Sequence, residues 1–150
     1  MEAKRSSLQE PVLLFVEDDC DWTYIFCNEF QKLAPDWKIL CAREGLVAVR
    51  QLITEPAPQA LVTDIIMPGM GGIHLLEWVK DQPQFRHLPI VVLTSSEDPS
   101  HRQRCTALGV SSYLDKPRSL EKLRNNIQGI VKLCEESRSH SPEPEEVPSV

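Results

Sequence analysis

The chain has 150 residues, of which 41% are hydrophobic and 25% charged, and its formal net charge is -6. That length suits one domain with a core of its own, and the composition is that of an ordinary globular protein. The acidic balance, with a pI near 5.2, argues against nucleic acid or anionic lipid as a partner. No apolar run approaches the roughly 20 residues that cross a bilayer, so a cytoplasmic protein without membrane contact is expected.

Residues 1–10 are polar and expected to be flexible, with Pro11 closing them. Val12-Leu13-Leu14-Phe15-Val16 is uniformly apolar and β-rich, the pattern of a strand buried on both faces. A helix is predicted from about Asp21 to Leu33, with Tyr24, Ile25, Cys27, Asn28, Phe30 and Leu33 as its stripe and Asp19 or Asp21 as its cap. Pro35-Asp36 ends it, and Trp37 to Cys41 reads as a second, shorter strand. Glu44 to Thr54 reads as a helix with Leu46, Val47, Val49, Leu52 and Ile53 turned inward. A third strand covers 59–63, and Met67 to Gly72 is a loop by its proline and glycines. A helix from about Ile73 to Asp81 turns Ile73, Leu75, Leu76 and Val79 toward the sheet. The fourth strand is 90–94. Pro99 opens a helix that runs to about Leu108, and Gly109 caps it. The fifth strand is 110–115, and a last helix spans about Leu120 to Glu135 with Leu123, Ile127, Ile130, Val131 and Cys134 as its apolar face.

From residue 137 to 150 the chain is rich in Ser, Pro and Glu, a composition too polar to order itself, and is expected to be disordered. The body, residues 11–136, alternates five strands with five helices. The expected fold is therefore α/β, a doubly wound five-stranded parallel sheet. The five cysteines, Cys20, Cys27, Cys41, Cys105 and Cys134, form no CxxC and have no histidine at metal-ligand spacing. They read as free thiols, buried or half-buried, in a reducing compartment. The four histidines do not cluster, and the tryptophans read as packing residues.

Polar residues stand at or just past the ends of four apolar runs. Glu17-Asp18-Asp19 follows the first, Asp64 the third, Thr94 ends the fourth, and Lys116-Pro117 follows the fifth. In an open parallel sheet the strands' carboxyl ends share one edge, where ligands bind. Order 2-1-3-4-5 would bring Asp18 beside Asp64. The acids alone could be solvated loop residues or a helix cap. Gathered in one cleft they repel one another, and a hard cation such as Mg²⁺ relieves that repulsion. A carboxylate beside such a cation can attack phosphorus and form an acyl phosphate. A threonine hydroxyl and a lysine ammonium suit the transferred oxygens.

Val16-Glu17-Asp18-Asp19, Asp64 to Gly72 (DIIMPGMGG), Leu93-Thr94-Ser95 and Tyr113-Leu114-Asp115-Lys116-Pro117, in this order and spacing, resemble the receiver domain of two-component response regulators over about residues 11–136. The resemblance implies a flavodoxin-like fold and a phosphorylation-activated switch rather than an enzyme. Asp64 would accept a phosphoryl group from a phosphohistidine on a sensor histidine kinase or phosphotransfer protein, and would lose it slowly by its own hydrolysis. Asp18 would bind Mg²⁺ directly and Glu17 through water, with Asp64 and the backbone carbonyl of Ile66 completing the protein ligands. Thr94 and Lys116 would hold the phosphoryl oxygens, and Tyr113 would turn inward when Thr94 moves. The fourth helix, fifth strand and last helix would form a surface for an unidentified output protein or for a homodimer. With only a short tail behind the last helix, a stand-alone receiver is expected.

The chain departs from the family in three places. Gly71 replaces a loop acid, which loosens the loop. Arg118 replaces an aromatic or apolar residue, and Ser95 a frequent alanine. Ile66 and Ser96, two residues past Asp64 and Thr94, flank the path of the hydrolytic water in the family; Ile66 cannot orient water, so a long-lived phosphoryl group is expected. Ile66 also stands where aspartyl-nucleophile phosphatases carry a second acid, which disfavours that reading. A phosphorylation-independent receiver is disfavoured because every implied site residue is present.

Overall fold

Alternation along the first strand sets the architecture. In the computed structural model, which describes residues 10–54 and 56–139, β1 (Val12–Val16) is buried throughout. Leu14 and Val16 enter one core and Leu13 and Phe15 a second, on the opposite face of the sheet. β3 (Ala60–Thr63) divides the same way, Leu61 against Ala60 and Val62. So does β4 (Ile90–Thr94), with Ile90 and Val92 opposite Val91 and Leu93. With β2 (Lys38–Ala42) and β5 (Ser112–Asp115) they form one parallel sheet in the order β2-β1-β3-β4-β5. The expected doubly wound α/β fold is the observed one.

The first core is covered by α2 (Gly45–Ile53), α3 (Gly72–Asp81) and α4 (Pro99–Ala107) through Ala48, Leu52, Leu75, Leu76, Val79 and Cys105. The second is covered by α1 (Cys20–Leu33) and α5 (Leu120–Ser139) through Phe26, Phe30, Leu123, Ile127, Ile130 and Cys134. An aromatic column ties α1 to the sheet: Phe15 stacks on Phe26 at 4.1 Å between ring centres, Phe26 on Phe30 at 5.8 Å, and Trp37 meets Phe30 edge-on at 6.3 Å. Glu29, buried on α1, accepts from Arg124 Nε of α5 at 2.9 Å and from Lys32 Nζ at 3.3 Å. The Arg124 hydrogen bond is the main reason its carboxyl is held below the usual range.

Four expectations change. The buried face of α1 is Phe26, Glu29 and Phe30, whereas Tyr24, Ile25 and Leu33 are exposed. The helix is apolar on more than one side, and the aromatic column selects the side. On α2, Leu46 and Ile53 are exposed and the small Ala48 is buried, because the helix lies close to the sheet. α5 continues to Ser139, three residues into the stretch read as tail. Trp37 Nε1 donates to Glu135 Oε1 at 3.0 Å and the Arg138 guanidinium lies 5.8 Å from the Trp37 ring centre, contacts that extend the packed length of the helix. Cys20 and Cys41 are exposed rather than buried. The flexibility expected for the N-terminal residues and the disorder expected beyond residue 139 fall outside the described residues, apart from Glu10, and so does His140.

Candidate functional site

Four adjacent strands, β1, β3, β4 and β5, deliver their polar ends to one edge. The Asp64 N–H donates to the Val16 carbonyl at 3.0 Å, and the Glu17 N–H to the Ala42 carbonyl at 2.9 Å. The ladder therefore continues one residue past β1 and β3 and fixes where both acids begin. Asp19 then starts α1: its Oδ1 accepts from the N–H groups of Asp21 at 2.8 Å and Trp22 at 3.2 Å, so of the two candidate caps it is Asp19 that serves. Oxygens of Glu17, Asp18 and Asp64 lie within 4.8 Å of one another. Glu17 and Asp64 are buried and Asp18 is half-buried.

Lys116 reaches this cluster from the far side of the sheet. Its N–H donates to the Thr94 carbonyl at 2.8 Å, continuing the β4–β5 ladder. Its Nζ lies 2.5 Å from Glu17 Oε1 and 2.8 Å from Asp64 Oδ2. The three side chains keep only 8%, 2% and 6% of their surface, so the charges are compensated inside the protein rather than by water. Burial works against the ammonium, but its hydrogen bonds to Asp64 and Glu17 outweigh that and raise its pKa. Burial pushes the Glu17 carboxyl up to about 7; the hydrogen bond from Lys116 opposes this and the charge of Asp64 adds to it. The other Asp64 oxygen, Oδ1, accepts from the N–H of Ile65 at 2.6 Å and of Ile66 at 3.4 Å.

The loop after Asp64 needs its glycines. A Cβ at Gly72 would lie 2.1 Å from the Asp64 carbonyl oxygen and 2.7 Å from Ile65 Cα. Only glycine lets α3 start this close to the strand, and the Gly72 N–H donates to the Ile65 carbonyl at 2.9 Å. Gly69 has φ +72°, in the left-handed region. Gly71 occupies the cap position of α3 and offers no side-chain hydrogen bond, the local consequence of lacking an acid there.

Thr94 is fully buried, and its Oγ1 accepts from the Ser96 N–H at 3.2 Å. Ser96 Oγ shares a 2.5 Å hydrogen bond with His101 Nδ1. Beside the cluster opens a cleft of about 750 Å³ lined by Trp22, Thr94, Ser96, Arg102, Tyr113 and Lys116, among others. Tyr113 carries the Arg102 guanidinium 4.5 Å from its ring centre, and its hydroxyl is buried without a hydrogen-bond partner among the described residues.

The structure thus gathers Glu17, Asp18, Asp64 and Lys116 into one contact set and puts Thr94 and Tyr113 at the adjoining cleft. The Ile66 side chain, two residues past Asp64, is exposed. Sequence reasoning missed three contacts: the Glu17–Lys116 pair, the Trp22 ring 5.3 Å from Lys116 Nζ, and the Ser96–His101 hydrogen bond. The first two join segments whose approach is set by the sheet, whereas Ser96 and His101 are five residues apart across the start of α4. The prior signal was partial: Glu17 and Lys116 directly follow strands, whereas Trp22 and His101 lie on helices.

Hard carboxylate oxygens converging on a half-open cleft fit a small divalent cation. The model for the response regulator receiver domain matches residues 13–128. Sensor histidine kinase TmoS of Ectopseudomonas mendocina is 32% identical over 124 residues, covering 83% of this chain and 12% of the kinase. The chain therefore spans about an eighth of that relative's length. Response regulator Rcp1 of Synechocystis sp. is 29% identical over 125 residues, covering 79% of this chain and 85% of Rcp1. The crystal structure of the Mn²⁺-bound form of response regulator Rcp1 superposes with a TM-score of 0.69 at 28% identity, covering 80% of this chain and 91% of that one.

Proposed function

The chain belongs to the response regulator receiver family, and from that premise we propose that Asp64 is its phosphoryl acceptor. Receivers are phosphorylation-activated switches of two-component signalling, not classical enzymes, and they work with histidine kinases or phosphotransfer proteins. In this reading the switch spans residues 11–136, and its donor is a phosphohistidine in the cytoplasm. No helix of the described residues is long and apolar enough to cross a membrane.

The observation that carries the reading is the Asp64 carboxylate, held by Lys116 at 2.8 Å and by two backbone N–H groups, with two further carboxylates beside it. An Asp64 oxygen attacks phosphorus, the P–N bond of the phosphohistidine breaks, and the imidazole leaves and takes up a proton. Glu17, Asp18, Asp64 and the Ile66 carbonyl would hold Mg²⁺, which when bound neutralises charge on the phosphoryl oxygens. Lys116 exchanges its bond to the carboxylate for one to a phosphoryl oxygen. The Thr94 hydroxyl turns toward another, and Tyr113 follows into the space Thr94 leaves. The α4–β5–α5 face then changes for its output partner or for a second copy of the chain.

Acetyl phosphate with Mg²⁺, followed by intact mass, tests this. The parent chain should gain about 80 Da, one phosphoryl group, and Asp64→Asn should gain none. An equal gain in Asp64→Asn would overturn the assignment.

A further inference from the structure

Two thiols outside the phosphoryl site face each other at the edge of the sheet. Cys27 lies on α1 and Cys41 on β2, and their Sγ atoms are 3.6 Å apart. β2 is an edge strand with β1 as its one neighbour. Cys41 is exposed and Cys27 half-buried, so small reagents can reach the pair. The backbone on both sides is fixed. Cys41 is in register with Phe15 of β1. Cys27 follows Phe26, whose ring stacks on Phe15. One packed aromatic contact thus ties together the strand and the helix that carry the two cysteines, and a disulfide asks their sulfurs to close from 3.6 Å to roughly 2 Å.

We propose that Cys27 and Cys41 form a thiol oxidation site, converted by a hydroperoxide to an intramolecular disulfide and restored by a dithiol. Cys41 first gives its proton to solvent; the thiolate attacks one peroxide oxygen, an S–O bond forms, the O–O bond breaks, and the departing hydroxide takes up that proton and leaves as water. Cys27 sulfur then attacks Cys41 sulfur. The S–S bond forms, the S–O bond breaks, and the departing hydroxide leaves as water with the Cys27 proton. In sum, two thiols and one hydrogen peroxide give one disulfide and two waters.

The electrostatics assign the order. The hydrogen bond between the two sulfurs favours the thiolate on Cys41 and the thiol on Cys27. It brings Cys41 down to about 7 against the opposing effect of burial, and raises Cys27. The solvent-exposed sulfur is therefore the nucleophile and the half-buried one resolves it. Cys105 and Cys134 are buried, with thiols raised by that burial. Cys20 is exposed and outside the pair, so it serves as the internal control.

The full chain, reduced and freed of reductant, is treated with hydrogen peroxide and digested without reduction. The expected product is a Cys27–Cys41 linked peptide pair about 2 Da lighter than its parts, reversed by dithiothreitol. It should also form in Cys20→Ser and in Asp64→Asn, which separates this site from the phosphoryl reading. In Cys27→Ser the resolving sulfur is gone, and dimedone should trap a sulfenic acid on Cys41. The oxidised parent should melt on the order of 10 °C higher, because the link closes a loop of about 15 residues. No linked pair, a link through Cys20, or a Cys41 no more reactive than Cys20 would overturn the proposal.

Discussion

Lys116 Nζ stands between two buried carboxylates, and its charge compensates them. In the proposed reaction a phosphoryl group on Asp64 would add anionic oxygens for a cation to follow, a task that suits a mobile lysine better than a rigid arginine fork. Tyr113 carries the next residue-scale consequence. Its hydroxyl is buried and unpaired among the described residues, and an orphaned buried hydroxyl costs about 1–3 kcal/mol. Tyr113→Phe should leave stability unchanged or raise it by about 1 kcal/mol in urea unfolding; a loss of that size would mean the hydroxyl has a partner. Ile66 is exposed, and its apolar side chain cannot orient water. Ile66→Asn should speed Mg²⁺-dependent loss of the phosphoryl group several-fold, read by mass against time, and an unchanged or slower decay would refute its role. Single residues of this site were legible in sequence because each ends a strand. Their pairings were not: nothing local says that Glu17 shares Lys116 with Asp64, or that Glu29 meets Arg124 from a helix 95 positions away.

Among elements, the strands read most clearly. β1, β3 and β4 are short β-rich runs buried on both faces, a pattern no amphipathic helix shares. Caps read in part for the same local reason. Pro99 opens α4 and Gly109 takes φ +76° after it, as read, whereas the cap itself, Asp98, which accepts from the Ser100 N–H at 2.9 Å, went unread. Helix faces read poorly where apolar residues lie on more than one side, as on α1 and α2, because tertiary packing chooses the side. The end of α5 was misread because its last turns are polar and are held by Trp37, far away in the chain. Two glycines show how differently one residue type is used. Gly72 is forced by the Asp64 carbonyl 2.1 Å from its missing Cβ, whereas Gly129, inside α5, has open space around it. Gly72→Ala should cost about 3 kcal/mol or more. Gly129→Ala should gain about 1 kcal/mol from helix propensity. Equal effects in urea unfolding would contradict the contrast.

At the scale of the whole molecule, the buried acids couple stability to pH and to divalent cation. The Glu17 carboxyl, ordinarily at 4.5, is pushed up to about 7 in the fold. Between those values the folded chain holds a proton that the unfolded chain has released. Stability therefore falls as pH rises through that window, and the cost, at most about 3 kcal/mol, is complete above it. A divalent cation bound at the proposed site would take the proton's place, so its binding would release protons and strengthen toward pH 7. Mg²⁺ should raise Tm more at pH 8 than at pH 5, and Glu17→Gln should flatten the pH dependence while shrinking the Mg²⁺ shift. Identical Mg²⁺ shifts at both pH values would contradict the linkage.

The proposed switch depends on one covalent bond, an acyl phosphate at Asp64. Borohydride reduction of the chain after acetyl phosphate and Mg²⁺ converts such an aspartyl phosphate to homoserine, and peptide mass mapping locates it. The predicted result is homoserine at position 64 and an unmodified Asp18. Homoserine elsewhere, or none in a chain that has gained phosphoryl mass, would contradict it.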